Sequence, residues 1–296
     1  MIYLTFAILA SFTISLLVKD NETRGADTEV VLGSNYITAS AVGWIILLTQ
    51  RGTATLTVSK PTLWLSLGGS VLWPAAFYLH MWGIRRYGMS LAGSVARLSL
   101  SIPVLFSLLV LGERLSVPTA MGIAGAFVAF ALLMPVRASR AGDDRQAAPA
   151  RPRDRRALWY FPTLLLVFGC VDLWANLFNT WAPGEERYLF VVSVFTGGGV
   201  LTWARILASG RRLDRRAVLR GLVLGVPNFF STYLIIESLR APALQGHSAI
   251  VYAVYSAAGV VLAFLAGALV WREPLTGRNR LGVIVAVAAV ALLNLA

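Results

Sequence analysis

Polar and apolar residues along this chain segregate into blocks rather than alternating, with apolar runs of 17 to 29 residues separated by short polar connections. A soluble helix shows an apolar stripe, whereas a bilayer-spanning helix needs about 20 consecutive apolar residues. Ten such runs can be drawn, at about 2–18, 29–50, 62–84, 88–111, 117–136, 158–179, 188–208, 217–238, 243–271 and 279–295. The pattern predicts an all-α polytopic membrane protein with ten transmembrane helices. The first run follows Met1 without a basic segment, so it reads as a retained span and not as a signal peptide.

The one long connection, residues 137–157, is rich in Arg, Ala and Pro and has no apolar period. It divides the chain into a first half, 1–136, and a second half, 158–296, of five spans each. The halves look related. Glu113 and Gly122 lie nine positions apart, as do Glu273 and Gly282, and each pair precedes a final span rich in Ala, Val and Leu. Gly52 closes the second span and Gly210 the seventh, 158 positions later, and "YLHMWGIRR" after the third span matches "YLIIESLRA" after the eighth. An odd number of spans per half requires opposite orientations in the membrane. The expected fold is therefore two inverted five-helix repeats, a construction common in transporters, with the solute site near the midplane.

Composition supports the membrane reading: 57% of residues are hydrophobic and 14% charged, against roughly 25% charged in soluble domains. The net charge of +12 would suggest nucleic acid in a soluble protein. Here, counted with their flanking turns, the first, third, fifth, seventh and ninth connections carry 20 of the 26 Lys and Arg, and the other four carry five. Basic connections mark the cytoplasmic side. The expected placement is the bacterial inner membrane, with these connections inside, both termini outside and no nucleic-acid partner. The basic connections suit anionic lipid headgroups. Cys170 is the single cysteine, which excludes a disulfide framework, and no HExxH or Walker-type motif occurs. No cofactor or metal is expected, and neither is enzymatic activity.

Around the duplicated segments the chain resembles the EamA-type drug/metabolite transporter superfamily. Pro103, Glu113 and Gly122 match that family's proline, GE-R-L and glycine pattern, and Glu273 and Gly282 match its second copy, where Ala263 stands in place of a frequent proline. The resemblance covers all ten spans and implies transport of small metabolites, commonly efflux of amino acids or related compounds. Small multidrug transporters, the presumed relatives, use an acid within the first span. Here that span has none before Asp20, at its end.

The chemistry within the spans is sparse. Arg97 lies ten residues into the fourth span, where a central arginine costs roughly 2.5–3.5 kcal/mol on insertion scales. Ser94, Ser99 and Ser101 point to an inward face. Arg97 is read either as an anchor for an anionic group or as the ion-pair partner of Asp172, which lies at similar depth in the sixth span with Asn176 one turn on. If both charges line one cavity, an amino acid or other zwitterion suits them. Glu237, near the end of the eighth span, is a coupling acid or an interfacial charge. His80 and His247 are candidate relays, histidine being the side chain whose ordinary pKa lies nearest neutrality. Asn35, Tyr78, Trp82, Asn228, Tyr233, Tyr252 and Tyr255 are candidate cavity-lining residues, with packing as the alternative for the aromatics. Pro74 and Pro227 interrupt corresponding spans, which points either to broken helices around a site or to harmless kinks. The glycines of 196–200 suit close helix packing.

These features predict a secondary transporter of small polar organic solutes, amino-acid-like in preference, working by alternating access and in the direction of efflux. A flippase or transporter of an anionic or lipid-linked substrate is the alternative.

Overall fold

The computed structural model describes residues 2–51, 58–87, 99, 101–112, 116–133, 155–210, 213–269 and 277–295. Arg97, Glu113, Glu273 and most of the connection 137–157 lie outside the described residues. The described chain is helical: α1 (Ile2–Thr23), α2 (Thr28–Arg51), α3 (Lys60–Tyr87), α4 (Ser101–Leu109), α5 (Val117–Leu133), α6 (Arg155–Trp181), α7 (Arg187–Ala208), α8 (Arg215–Arg240), α9 (Ser248–Leu269) and α10 (Gly277–Leu295). Six of these, α1, α2, α3, α6, α7 and α8, are long and apolar enough to cross a membrane. The chain is a helical membrane protein.

Helix ends follow local chemistry. Gly25 takes φ +62° where the chain leaves α1, a conformation that a residue with a Cβ adopts at a cost, and Asp27 then caps α2 by accepting from Glu29 N at 3.0 Å. Asp214 caps α8 in the same way, accepting from Arg216 N at 3.0 Å. Of the two readings of the paired prolines, the broken helix is overturned. Both α3 and α8 run unbroken through Pro74 and Pro227, so the paired prolines do not split these helices. Each proline removes a single backbone donor, and the turns on either side keep the rest of the ladder.

The contacts divide into two compact units. The first contains residues 1–74 and 174–251, the second 75–173 and 252–296, so each draws on both halves of the sequence. In the first unit α2 packs along α8 and α7, and α1 along α8. Val30, Val31, Ala217 and Leu224 are fully buried there, with Ile14, Leu17 and Val18 of α1 packed over them. Arg220 Nη1 donates to Asp20 Oδ2 at 2.9 Å and to Asn21 Oδ1 at 3.0 Å, tying α8 to the end of α1. The first part of α3 meets α7 through Ser70 Oγ, which donates to Ser193 O at 3.2 Å, and meets α6 through Trp174 Nε1, which donates to Leu65 O at 2.8 Å. In the second unit α5 packs along α10, with Gly125 against Ala289.

The glycines make these approaches possible. A Cβ on Gly225 would stand 2.5 Å from Asn35 O and 2.9 Å from Ala39 N, and one on Gly221 would strike Val31 O. Gly197, Gly198 and Gly199 lie against Ser70, Pro74 and Tyr36, which is the close packing their sequence suggested. Surfaces are inverted relative to a soluble protein. Trp64, Val71 and Phe6 are exposed, while Asn35, Ser34, Ser70 and Asn176 are buried.

Candidate substrate-binding site

In the second unit Asp172 of α6 sits among polar groups. Ser99 Oγ donates to Asp172 Oδ2 at 3.2 Å, and the Tyr252 hydroxyl on α9 donates to the Asp172 backbone carbonyl at 2.9 Å. Gly169, one turn earlier, is what lets this part of α6 approach α4: a side chain there would collide with Ile102. Tyr252 also borders a small crevice with Val104, Ile123, Phe127 and Ser256. The Ser256 hydroxyl is buried there with no hydrogen-bond partner among the described residues. The described arrangement is a carboxylate held by Ser99 within a helix, linked through its backbone carbonyl to Tyr252, which borders a mostly apolar crevice. Arg97 lies outside the described residues, so its pairing with Asp172 stays an expectation. Tyr255, half-buried, follows Tyr252 by one turn on α9.

Other candidates fall into separate places. In the first unit Asn228 Nδ2 donates to Asn35 Oδ1 at 3.1 Å, joining α8 to α2 where Gly225 brings the two backbones together. Asn176 Nδ2 donates to Ser248 Oγ at 3.4 Å. Both asparagines at the α2 and α6 positions are almost wholly buried, and each bond satisfies a group that would be costly to bury alone. In the second unit His80 packs edge-on against Phe168 with ring centroids 5.3 Å apart, and Trp82 lies 5.0 Å from Tyr160. The Tyr160 hydroxyl donates to Leu79 O at 3.3 Å, so these side chains lie along the α3–α6 contact. The Tyr78 hydroxyl is buried on the same helix. His247 is exposed, and its carbonyl accepts from Ile250 N and Val251 N at the start of α9.

Glu237 and Tyr233 belong to a third group, at the end of the first unit where α6, α7 and α8 meet. Glu237 forms an ion pair with Arg187, the first residue of α7. Tyr233, one turn before Glu237, stacks on Tyr188 with centroids 4.6 Å apart and planes 20° apart. Arg240 lies over the Phe178 ring at 5.5 Å and donates from Nη2 to Ala182 O at 3.4 Å. Nearby, Glu186 accepts from Ser59 N at 3.1 Å and from Ser59 Oγ at 2.7 Å. Sequence reasoning singled out Glu237 and Tyr233 but missed Arg187, Tyr188 and Arg240. The missing signal was topological: in an antiparallel pair of consecutive helices the start of one lies beside the end of the next, which sets Arg187 opposite Glu237.

No known protein-family pattern matches the chain. It is similar to a Haemophilus influenzae protein described as uncharacterized, 24% identical over 299 residues, with 97% of this chain and 95% of that protein covered. A protein of known crystal structure superposes with a TM-score of 0.73 at 18% identity, covering 99% of this chain and 96% of the other. The fold is shared end to end. At these identities the likeness carries architecture and not activity.

Proposed function

We propose that the chain is a secondary transporter of small polar organic solutes, built as ten spans in two inverted five-helix repeats related to the EamA-type drug/metabolite transporters. The observation that carries this reading is the way corresponding helices meet. Counting five spans per half, α2 corresponds to α7 and α5 to α10, and in each case the helix packs on its own counterpart. The contact of α1 with α8 has its counterpart in that of α6 with α3, and α2 with α8 in α7 with α3. A two-fold relation between halves generates this set of pairs, and opposite orientation of the halves is what alternating access uses. Asp172, an acid within a span whose backbone carbonyl accepts from the crevice-lining Tyr252, is the group we assign to solute or proton binding.

The test is a melting-midpoint screen of the purified full chain against amino acids, organic acids, sugar phosphates, nucleobases and quaternary amines, followed by flux of any stabilising solute in proteoliposomes. Asp172→Asn is expected to purify folded and to lower flux at least tenfold. A stabilising solute that the wild-type protein does not move, or wild-type flux in Asp172→Asn, contradicts the assignment. Combining Arg97→Ala with Asp172→Asn separates the two roles of Arg97. Recovery of folding in the double variant relative to Arg97→Ala alone marks a structural ion pair.

A further inference from the structure

Four tryptophans are exposed among the described residues, from 41% at Trp82 to 79% at Trp159, and all four stand near the ends of α3 and α6. Trp82 follows Trp64 by 18 residues, five turns of 3.6, so both project from one face of α3. Leu67 and Val71, exposed between them, share that face. Trp181 follows Trp159 by 22 residues, about six turns of α6, and the exposed Leu166 lies on the same face between them. At 1.5 Å per residue the paired rings stand about 27 Å apart on α3 and about 33 Å apart on α6. Contacts match the helix ends. Ser59, before α3, is bonded to Glu186, beyond the end of α6, and Trp82 packs on Tyr160 beside Trp159. Exposed cations stand one turn outside two of the rings, Lys60 before Trp64 and Arg156 before Trp159.

An exposed indole is unfavourable in hydrocarbon because its N–H goes unsatisfied, and unfavourable in water because its ring is apolar. It settles at the headgroup boundary, where both parts are met. Two tryptophans in mid-helix show the alternative. Trp44 Nε1 donates to Thr196 Oγ1 at 3.1 Å and Trp174 Nε1 to Leu65 O at 2.8 Å, so each is satisfied inside the protein. The hydrocarbon layer of a bilayer is about 30 Å thick, between the two ring separations. We propose that the outward faces of α3 and α6 anchor the chain in a phospholipid bilayer of that thickness, with Trp64 and Trp181 at one headgroup boundary and Trp82 and Trp159 at the other. Lys60 and Arg156 extend from these boundaries toward the phosphates. Trp82 then faces lipid and not a solute cavity. Asp172, nine residues before Trp181 and 13 after Trp159, lies about 14 Å from the nearer ring, within the hydrocarbon layer. The anchoring rests on the helical membrane fold and not on the transporter reading.

The experiment places single cysteines in the full chain carrying Cys170→Ser, at Trp64, Val71, Trp82, Trp159, Leu166 and Trp181 in turn. Each variant takes a nitroxide label and is reconstituted in dioleoylphosphatidylcholine vesicles. Oxygen concentrates in hydrocarbon and a nickel chelate stays in water, so the ratio of their collision rates with the label reports depth. That ratio is expected to be about fivefold higher at Val71→Cys and Leu166→Cys than at the four tryptophan positions. Equal ratios along either helix overturn the proposal. So do end labels hidden from both reagents, as a second copy of the chain packed on this face would hide them. Should the variants fail to fold, the wild-type chain supplies the test. Its melting midpoint should be higher in dioleoylphosphatidylcholine than in the dimyristoleoyl or dierucoyl lipid, whose layers are thinner and thicker. A midpoint indifferent to acyl length overturns the anchoring. Flux in proteoliposomes bears on Asp172 and not on these faces. The transporter reading can therefore fail with the depth pattern intact, and the depth pattern can fail with flux intact.

Discussion

Gly225→Val should yield no monodisperse, folded protein, and Gly225→Ala should yield one that melts well below the wild type. The reason is what surrounds the missing side chain. Most glycines in helices sit opposite the flexible ends of other side chains, which can move. At Gly225 the neighbours are Asn35 O, Ala39 N and Thr38 Cβ, and at Gly221 they include Val31 O, so the obstacle is the backbone of α2 itself. Helix α2 cannot yield locally without moving away from α8 along two turns. That movement would stretch the Asn228–Asn35 hydrogen bond and loosen the packing of Val30, Val31 and Leu224. Overpacking of this kind costs about 1–3 kcal/mol where side chains can adjust, and more where only backbone can. Gly277→Ala, where an added Cβ meets nothing within 4 Å, is the control and should melt with the wild type. A normal melting midpoint in Gly225→Ala would mean that α2 and α8 do not approach as described.

The second large effect is expected at the Arg187–Glu237 pair. Exposure decides its size: Glu237 is 12% exposed and Arg187 31%, so the pair is partly withdrawn from solvent. Breaking a buried pair costs about 3–5 kcal/mol because one charge is left behind, and the residual exposure here lowers the expectation to about 1–3 kcal/mol. Glu237→Gln should be the more harmful single change, since it leaves Arg187 and Arg240 together without a carboxylate. Arg187→Gln combined with Glu237→Gln should recover part of the loss, giving a coupling of at least about 1 kcal/mol in a double-mutant cycle. By contrast Arg24–Asp20, at 64% and 42% exposure, should show no change in midpoint when Arg24 is removed. Additive effects of the Arg187 and Glu237 changes would show that the two side chains do not act as a pair.

Both effects involve residues far apart in sequence, which explains how unevenly this protein was legible. Helices are local events in a membrane, because each satisfies its own backbone, so the apolar runs alone located the segments from α1 to α10. Their ends were legible where a cap or a glycine stood in place, as at Gly25, Asp27 and Asp214. Pro74 and Pro227 left two readings open because a proline reports only a lost donor, not whether the surrounding turns hold. Pairings were the hard part. Asn35 with Asn228, and Asp172 with Tyr252, depend on which helices are neighbours, and apolar periodicity carries no such information. Arg240 was passed over because it closes a helix, where arginine is ordinary. Only the Phe178 ring beneath it distinguishes it.

The measurement closest to the central claim is the sidedness of two points on the chain. A reporter that is active only in the cytoplasm and one active only outside it would be inserted, in separate fusions, at Ala150 in the long connection and after Ala296. The account predicts the connection inside and the chain's end outside, because five spans separate them and the halves are inverted. Finding both points on the same side would require an even number of spans between them, and the inverted repeat, with the alternating-access mechanism built on it, would be wrong.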